Sequence, residues 1–232
     1  MAKIMILTAG RSGSTLLVDL LNANSEIHCE GEILATHAAG FDAVAALETY
    51  VREKNCTHFG FKAKRFHFEN CFHLNLNTVL DTLAQNGWTF VYVYRRNLVD
   101  IAVSKFYAEG RGKYFNYSHE KKPSAPSIEF DADTFIGFLE YIDEYNQNDR
   151  SSIQNYPHLS ICYEEDLLDN SQHTDTLKKI YQFLGIKKRL YRKKIYTTKI
   201  VPEDRSEIIR NWADIKKRVQ ATKYREFLTD EM

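Results

Sequence analysis

At 232 residues the chain can bury roughly 70% of its unfolded surface, enough for one domain over residues 1–232. Its 31 lysines and arginines balance 31 aspartates and glutamates, which excludes a generally basic nucleic-acid binder and leaves room for a local anion site. Cys29, Cys56, Cys71 and Cys162 form no close C-x-x-C pair, and the histidines are scattered, so neither a disulfide framework nor a metal centre is expected.

Met1-Ala2-Lys3 leads directly into an apolar run that stops at Thr8, unlike a signal peptide, and no apolar stretch is long enough to span a membrane. A cytoplasmic protein with reduced thiols is the expectation. The first strand is Lys3–Leu7, and a helix begins at Ser14 or Thr15, where a hydroxyl can cap free N–H groups. Residues 27–34 read as an irregular connection with Glu30 and Glu32 around Gly31. Residues 41–54 have helical spacing, 57–62 alternate as a strand, and 72–86 form a second periodic helix that Gly87 stops. Thr89–Tyr94 is apolar on both faces and fits the middle of a parallel sheet.

Asn97 follows as the cap of the next helix. Residues 110–127, with Gly110, Gly112, Pro123 and Pro126, read as a long loop suited to be a lid or binding segment, with Tyr107, Arg111, Lys113, Tyr114 and Tyr117 around it as the wall of a pocket. A helix over 133–154, a strand over 159–163 and a helix over 174–184 stopped by Gly185 follow. The basic run 187–194 suits an anionic glycan, an acidic surface or plain solvent. A loop over 200–205 and helical stretches over 208–219 and 224–228 close the chain. Strands alternating with helices imply a three-layer α/β fold, P-loop-like, with a central and mainly parallel sheet flanked by helices.

The stretch Thr8-Ala9-Gly10-Arg11-Ser12-Gly13-Ser14-Thr15 joins the first strand to the first helix. Small residues and glycines there allow several backbone N–H groups to converge on one anion, and Arg11 adds a planar donor fork. It is not a Walker A loop: Ser14 stands where the lysine belongs and Thr8 where the first glycine belongs. That omission counts against an ATPase or kinase, although a P-loop phosphotransferase and an inactive nucleotide-binding protein remain alternatives.

This lysine-free cradle resembles the 5′-phosphosulfate loop of the sulfotransferases that use 3′-phosphoadenosine 5′-phosphosulfate (PAPS). Tyr94-Arg95-Arg96-Asn97 and the helix reaching Ser104 resemble the same family's 3′-phosphate motif, in which an arginine at a strand end is followed by a serine eight residues on. The segment Ile161–Leu167, followed by a helix ending Phe183-Leu184-Gly185, is similar to the family's fourth-strand region, and Ile208–Trp212 with Thr222-Lys223-Tyr224 resembles the C-termini of bacterial members of the carbohydrate or lipopolysaccharide type. An R-K-G-x-x-G run is missing, which points away from phenol and steroid acceptors.

The resemblance implies sulfuryl transfer from PAPS, leaving adenosine 3′,5′-bisphosphate (PAP), to a hydroxyl of a sugar, glycolipid or small alcohol. It requires no metal, nucleic acid or membrane span. Gly10, Arg11, Ser12, Gly13, Ser14, Thr15, Arg96 and Ser104 would bind the donor. Glu32 would be the base, with burial beside Ile33 and Leu34 raising its pKa toward neutrality. Glu30, His28, His58 and His67 are its rivals. Lys62 would contact the sulfonate or phosphates, with Lys64 as its competitor, and Arg11 would stabilise developing charge.

Overall fold

The structure, a computed structural model, describes residues 1–36, 43–54, 56–112, 116–117, 128–187, 197–198, 201 and 204–228. Internal contacts divide the chain into two units, Met1–Tyr94 with Asn146–Ile195, and Arg95–Tyr145 with Tyr196–Met232. The elements in chain order are β1 (Lys3–Thr8), α1 (Ser14–Asn22), β2 (Ile27–Glu30), α2 (Ala43–Glu53), β3 (His58–Ala63), α3 (Leu76–Gln85), β4 (Trp88–Tyr94), α4 (Leu98–Arg111), β5 (Asn116–Tyr117), α5 (Ala132–Ile153), β6 (His158–Cys162), α6 (His173–Phe183), β7 (Thr197–Thr198) and α7 (Trp212–Gln220), with short 3-10 and π turns between them.

The first unit holds a five-stranded, all-parallel sheet in the order β2-β3-β1-β4-β6. Strand side chains alternate between faces, so β1 feeds two cores at once. Met5, Leu7, Phe59, Phe61, Phe90 and Tyr92 pack with Leu47, Val51, Leu76, Leu80 and Leu83 of α2 and α3. Ile4, Ile6, Val91, Val93 and Ile161 pack on the opposite face with Leu17, Leu20, Leu21, Leu177 and Ile180 of α1 and α6. Each such side chain contributes about 1.5–3 kcal/mol by leaving water. β4, expected inside the sheet, is flanked on both sides by β1 and β6, while β1 itself stands at the centre.

The chain leaves β1 toward one face, through α1, and leaves the adjacent β3 toward the other, through α3. Such a reversal opens a crevice beyond the C-terminal ends of the two strands. The sequence places the small-residue loop there.

Several boundaries differ from the sequence reading. Residues 27–30 form a parallel edge strand instead of an irregular connection, because Ile27 and Cys29 alternate inward while His28 and Glu30 face outward, and Ile27 aligns with His58. The helix expected from Phe72 starts at Leu76, where Asn75 caps it by accepting the Asn77 N–H at 2.9 Å. The last long helix begins at Trp212, since Ile209 is engaged in a β-bridge to Ile128.

In the second unit, Asn97 caps α4 as expected, accepting the Asp100 N–H at 2.9 Å. The helix continues to Arg111, so residues 110 and 111, expected in a loop, are its last turn. Of the expected lid, Asn116 and Tyr117 pair antiparallel with Thr198 and Thr197, while 113–115 and 118–127 lie outside the described residues. Residues 188–194 of the basic run also lie outside them. Phe106 anchors an aromatic cluster, with ring centroids 5.1, 5.8 and 5.4 Å from Phe130, Phe135 and Phe138. Tyr107, expected to line an acceptor pocket, is buried and carries the Arg111 guanidinium on its ring. Among the described residues no helix is long and apolar enough to cross a membrane.

Candidate active site

The loop after β1 is shaped by its backbone. Gly10, Arg11 and Gly13 have φ values of 93°, 54° and 83°, all left-handed, a turn conformation of the kind that can aim backbone N–H groups at an anion. The buried Thr8 and Ser12 hydroxyls share a hydrogen bond, and the Gly10 N–H donates to Thr8 Oγ1 at 3.3 Å. These bonds brace the turn from within.

Gly13 caps α1 in the left-handed conformation and no side chain caps the helix, contrary to the expectation for Ser14 or Thr15. A first turn without a side-chain cap retains N–H donors and the positive end of the dipole for a ligand. Only glycine fits at 13: a Cβ there would stand 2.5 Å from Tyr163 Cδ2 and 3.2 Å from Leu167 Cδ1.

The Thr15 hydroxyl has a different role. It accepts a hydrogen bond from Lys62 Nζ at 2.8 Å. The lysine that a Walker loop carries in its own sequence thus arrives from the C-terminal end of β3, the strand adjacent to β1. Lys62 is only 8% exposed, and its pKa is lowered by that burial against the opposing pull of Glu32. Lys64 comes close to the loop as well, since a Cβ on Gly10 would lie 3.3 Å from its Cε.

Glu32 follows β2 and joins both lysines. Its Oε1 is 3.3 Å from Lys62 Nζ, and its Oε2 is 2.9 Å from Lys64 Nζ. His67, buried on the turn after β3, places Nε2 3.2 Å from the same Oε2. The Lys64 N–H donates to His67 Nδ1 at 3.2 Å, so Nε2 carries the proton and donates to Glu32. Burial pushes the Glu32 carboxyl upward, but the His67 and Lys64 hydrogen bonds and the two ammonium charges overcome it and hold the group well below the usual carboxylate range. The rise toward neutrality expected from Ile33 and Leu34 is thereby reversed; two cations outweigh partial desolvation.

The rival bases Glu30, His28 and His58 are engaged elsewhere. Glu30 Oε1 meets His28 Nε2 at 2.7 Å and Lys54 Nζ at 3.0 Å, and His58 Nδ1 accepts the Ala2 N–H. Cys29 is buried near Lys62, and burial pushes its thiol up to about 12. All four cysteines are free, two of them fully buried.

The structure therefore brings Thr15, Glu32, Lys62 and Lys64 together with the Gly10–Thr15 loop, and adds His67, which sequence reasoning had only as a rival base. The signal for His67 lay in its position, three residues after Lys64 at the end of a strand. Arg96 and Ser104 belong to the second unit. Arg96 is exposed at the entry to α4, and Ser104 is buried in that helix's second turn. There Asp100 accepts from both Arg95 and Arg205, and the Arg205 guanidinium lies 5.3 Å from the Trp212 ring. Among the described residues no group of His, Cys, Asp and Glu could hold a metal ion.

No curated protein matches the sequence. Among solved structures, mouse sulfotransferase SULT7A1 complexed with PAP is similar with a TM-score of 0.48 and 20% identity, over 81% of this chain and 60% of that one. The chain thus spans less than two thirds of that protein's length. Shikimate kinase from Bacteroides thetaiotaomicron gives a TM-score of 0.48 at 9% identity, over 80% of this chain and 99% of that one. Retinol dehydratase in complex with androsterone and the inactive cofactor PAP gives 0.40 at 15% identity, over 99% and 71%. The family model of the sulfotransferase domain matches residues 1–230, nearly the whole chain, and on that match the protein belongs to the sulfotransferase family.

Proposed function

We propose that the protein transfers a sulfuryl group from PAPS to an acceptor hydroxyl. The observation that carries this reading is the pairing of a lysine-free, left-handed backbone cradle with an ammonium group supplied from β3, Lys62 on Thr15. A cradle of N–H donors beside two lysines fits the phosphosulfate end of that donor. The acceptor oxygen forms a bond to sulfur as the bridging bond to the 5′-phosphate breaks, and the electron pair leaves on that phosphate. The loop N–H groups of Gly10–Thr15, with Arg11, Lys62 and Lys64, neutralise the charge that builds there. Glu32 takes the acceptor proton. Arg96 and Ser104 bind the 3′-phosphate, a role carried by their motif.

The acceptor is a sugar, glycolipid or small alcohol, in keeping with the sequence likeness to carbohydrate-type members and the missing R-K-G-x-x-G run. Calorimetry with PAP against ATP-magnesium tests the donor. Micromolar binding of PAP, weakened at least tenfold in Arg96→Ala and Ser104→Ala, supports it; preference for ATP, unaffected by either substitution, overturns it. Radiolabel transfer from the donor into a panel of sugars, glycolipids and alcohols identifies the acceptor.

A further inference from the structure

Lys62 and Lys64 face two anionic partners, the Glu32 carboxylate and whatever anion the loop binds. Lys62 Nζ is 3.3 Å from Glu32 and 2.8 Å from the Thr15 hydroxyl in the first turn of α1, so it already bridges the carboxylate and the loop. Lys64 lies on Glu32 Oε2 with its Cε close over Gly10. His67 differs from both. Its ring is buried, its Nδ1 is held by the Lys64 backbone N–H, its backbone N–H donates to the Lys64 carbonyl at 3.0 Å, and Nε2 has Glu32 as its partner. The lysines can be drawn away by an anion, whereas a backbone-pinned imidazole cannot.

We infer that donor binding exchanges the partners of Lys62 and Lys64 from Glu32 to the phosphosulfate, and that His67 is the positioning residue that keeps Glu32 aimed once they have moved. The inference rests on the proposed function and adds a sequence to it. With both lysines on the carboxylate, Glu32 is a poor proton acceptor; once they turn to the donor, it becomes a competent one. Donor and base are then coupled, and the base is strengthened only when the 5′-phosphate end of the nucleotide occupies the loop. The charged and titratable groups facing Glu32 are Lys62 and Lys64 of β3 and its end and His67 of the following turn, with Cys29 of β2 beside Lys62.

The test is carboxyl-carbon NMR of the full chain labelled at glutamate Cδ, with Glu32 assigned through Glu32→Gln, titrated with and without saturating PAP. The expected result is at least a tenfold increase in proton affinity of Glu32 when PAP is bound, and a comparable increase without nucleotide in the Lys62→Met, Lys64→Met double variant. With PAP bound, His67→Phe raises the proton affinity of Glu32 further, and His67→Gln, which keeps an N–H donor, returns it toward wild type. Binding of PAP with no change at Glu32 overturns the exchange and leaves the proposed function standing. Equal Glu32 titrations in wild type, His67→Phe and His67→Gln overturn the role of His67, and His67→Leu, which also lacks the N–H donor, takes the place of the Phe variant should that one not fold. Failure of PAP to bind, seen in the calorimetry, overturns both readings.

Discussion

The Lys62 ammonium stands 2.8 Å from the Thr15 hydroxyl, linking the end of β3 to the first turn of α1 across a strand boundary. Replacing Lys62 by Met keeps the length of the side chain and removes its charge. PAP affinity is expected to fall about tenfold or more, the loss of one charge-assisted contact. Folding should lose no more than about 2 kcal/mol, because Glu32 retains Lys64 and His67 as partners while a buried ammonium is removed. Calorimetry and urea unfolding read the two quantities separately, and undiminished PAP affinity would remove Lys62 from the donor site.

Glu32→Gln should separate binding from chemistry. The neutral amide no longer competes for Lys62 and Lys64, so PAP should bind as tightly as to wild type or a fewfold tighter. Transfer to whichever hydroxyl supports wild-type turnover should fall at least a hundredfold, as for loss of a general base. Wild-type turnover in this variant would return the role to Glu30 or a histidine.

Gly13→Ala combines a left-handed φ of 83° with a Cβ driven against Tyr163. A cost of about 2–4 kcal/mol is expected, the sum of backbone strain and overpacking. Adding Tyr163→Leu should recover only the packing part. Urea denaturation of the single and double variants checks this, and a Gly13→Ala protein as stable as wild type would contradict the loop geometry.

Two carboxyl groups in the first unit give opposite pH dependences. Glu32 is held below its ordinary value, so the stability it contributes is present above the unfolded value of about 4.3 and is lost as pH falls toward its folded pKa. Asp149, fully buried, accepts from Arg65 Nε at 2.9 Å through Oδ1, while its Oδ2 is buried without a partner. Burial raises its pKa to about 6 against the pull of Arg65. The native state therefore holds that proton in a range where the unfolded chain has released it. The contribution of Asp149 is largest below about pH 4 and declines as pH rises to about 6. Asp149→Asn should flatten the stability profile between those limits, and Glu32→Gln should flatten it on the acid side. An unchanged slope in Asp149→Asn would assign the dependence elsewhere.

The sheet was legible in the sequence because parallel strands buried on both faces are continuous apolar runs, as in Ile4–Leu7 and Phe90–Val93. The edge strand β2 was not, since a four-residue strand with His28 and Glu30 facing outward lacks that run. The cradle was legible from its glycines and small residues, and Lys62 from its place at a strand end. The direction of the Glu32 shift was not. It depends on two ammonium groups and an imidazole thirty or more residues away, which only the pairing of β2 beside β3 brings to the same carboxylate.

The strand order also bears on how the chain acquires its structure during synthesis. β1 leaves the ribosome well before its partners, β3, with Lys3 aligned to Phe59, and β4, with Lys3 aligned to Trp88. Until those segments emerge, Ile4–Leu7 has no ladder to join and presents an apolar strand on both sides. Pairings this distant along the chain close slowly, and unpaired apolar strands are where nascent chains associate wrongly. The segment that centres the finished sheet is thus the one with the longest wait, and the one with most to gain from chaperone cover while the ribosome completes β4.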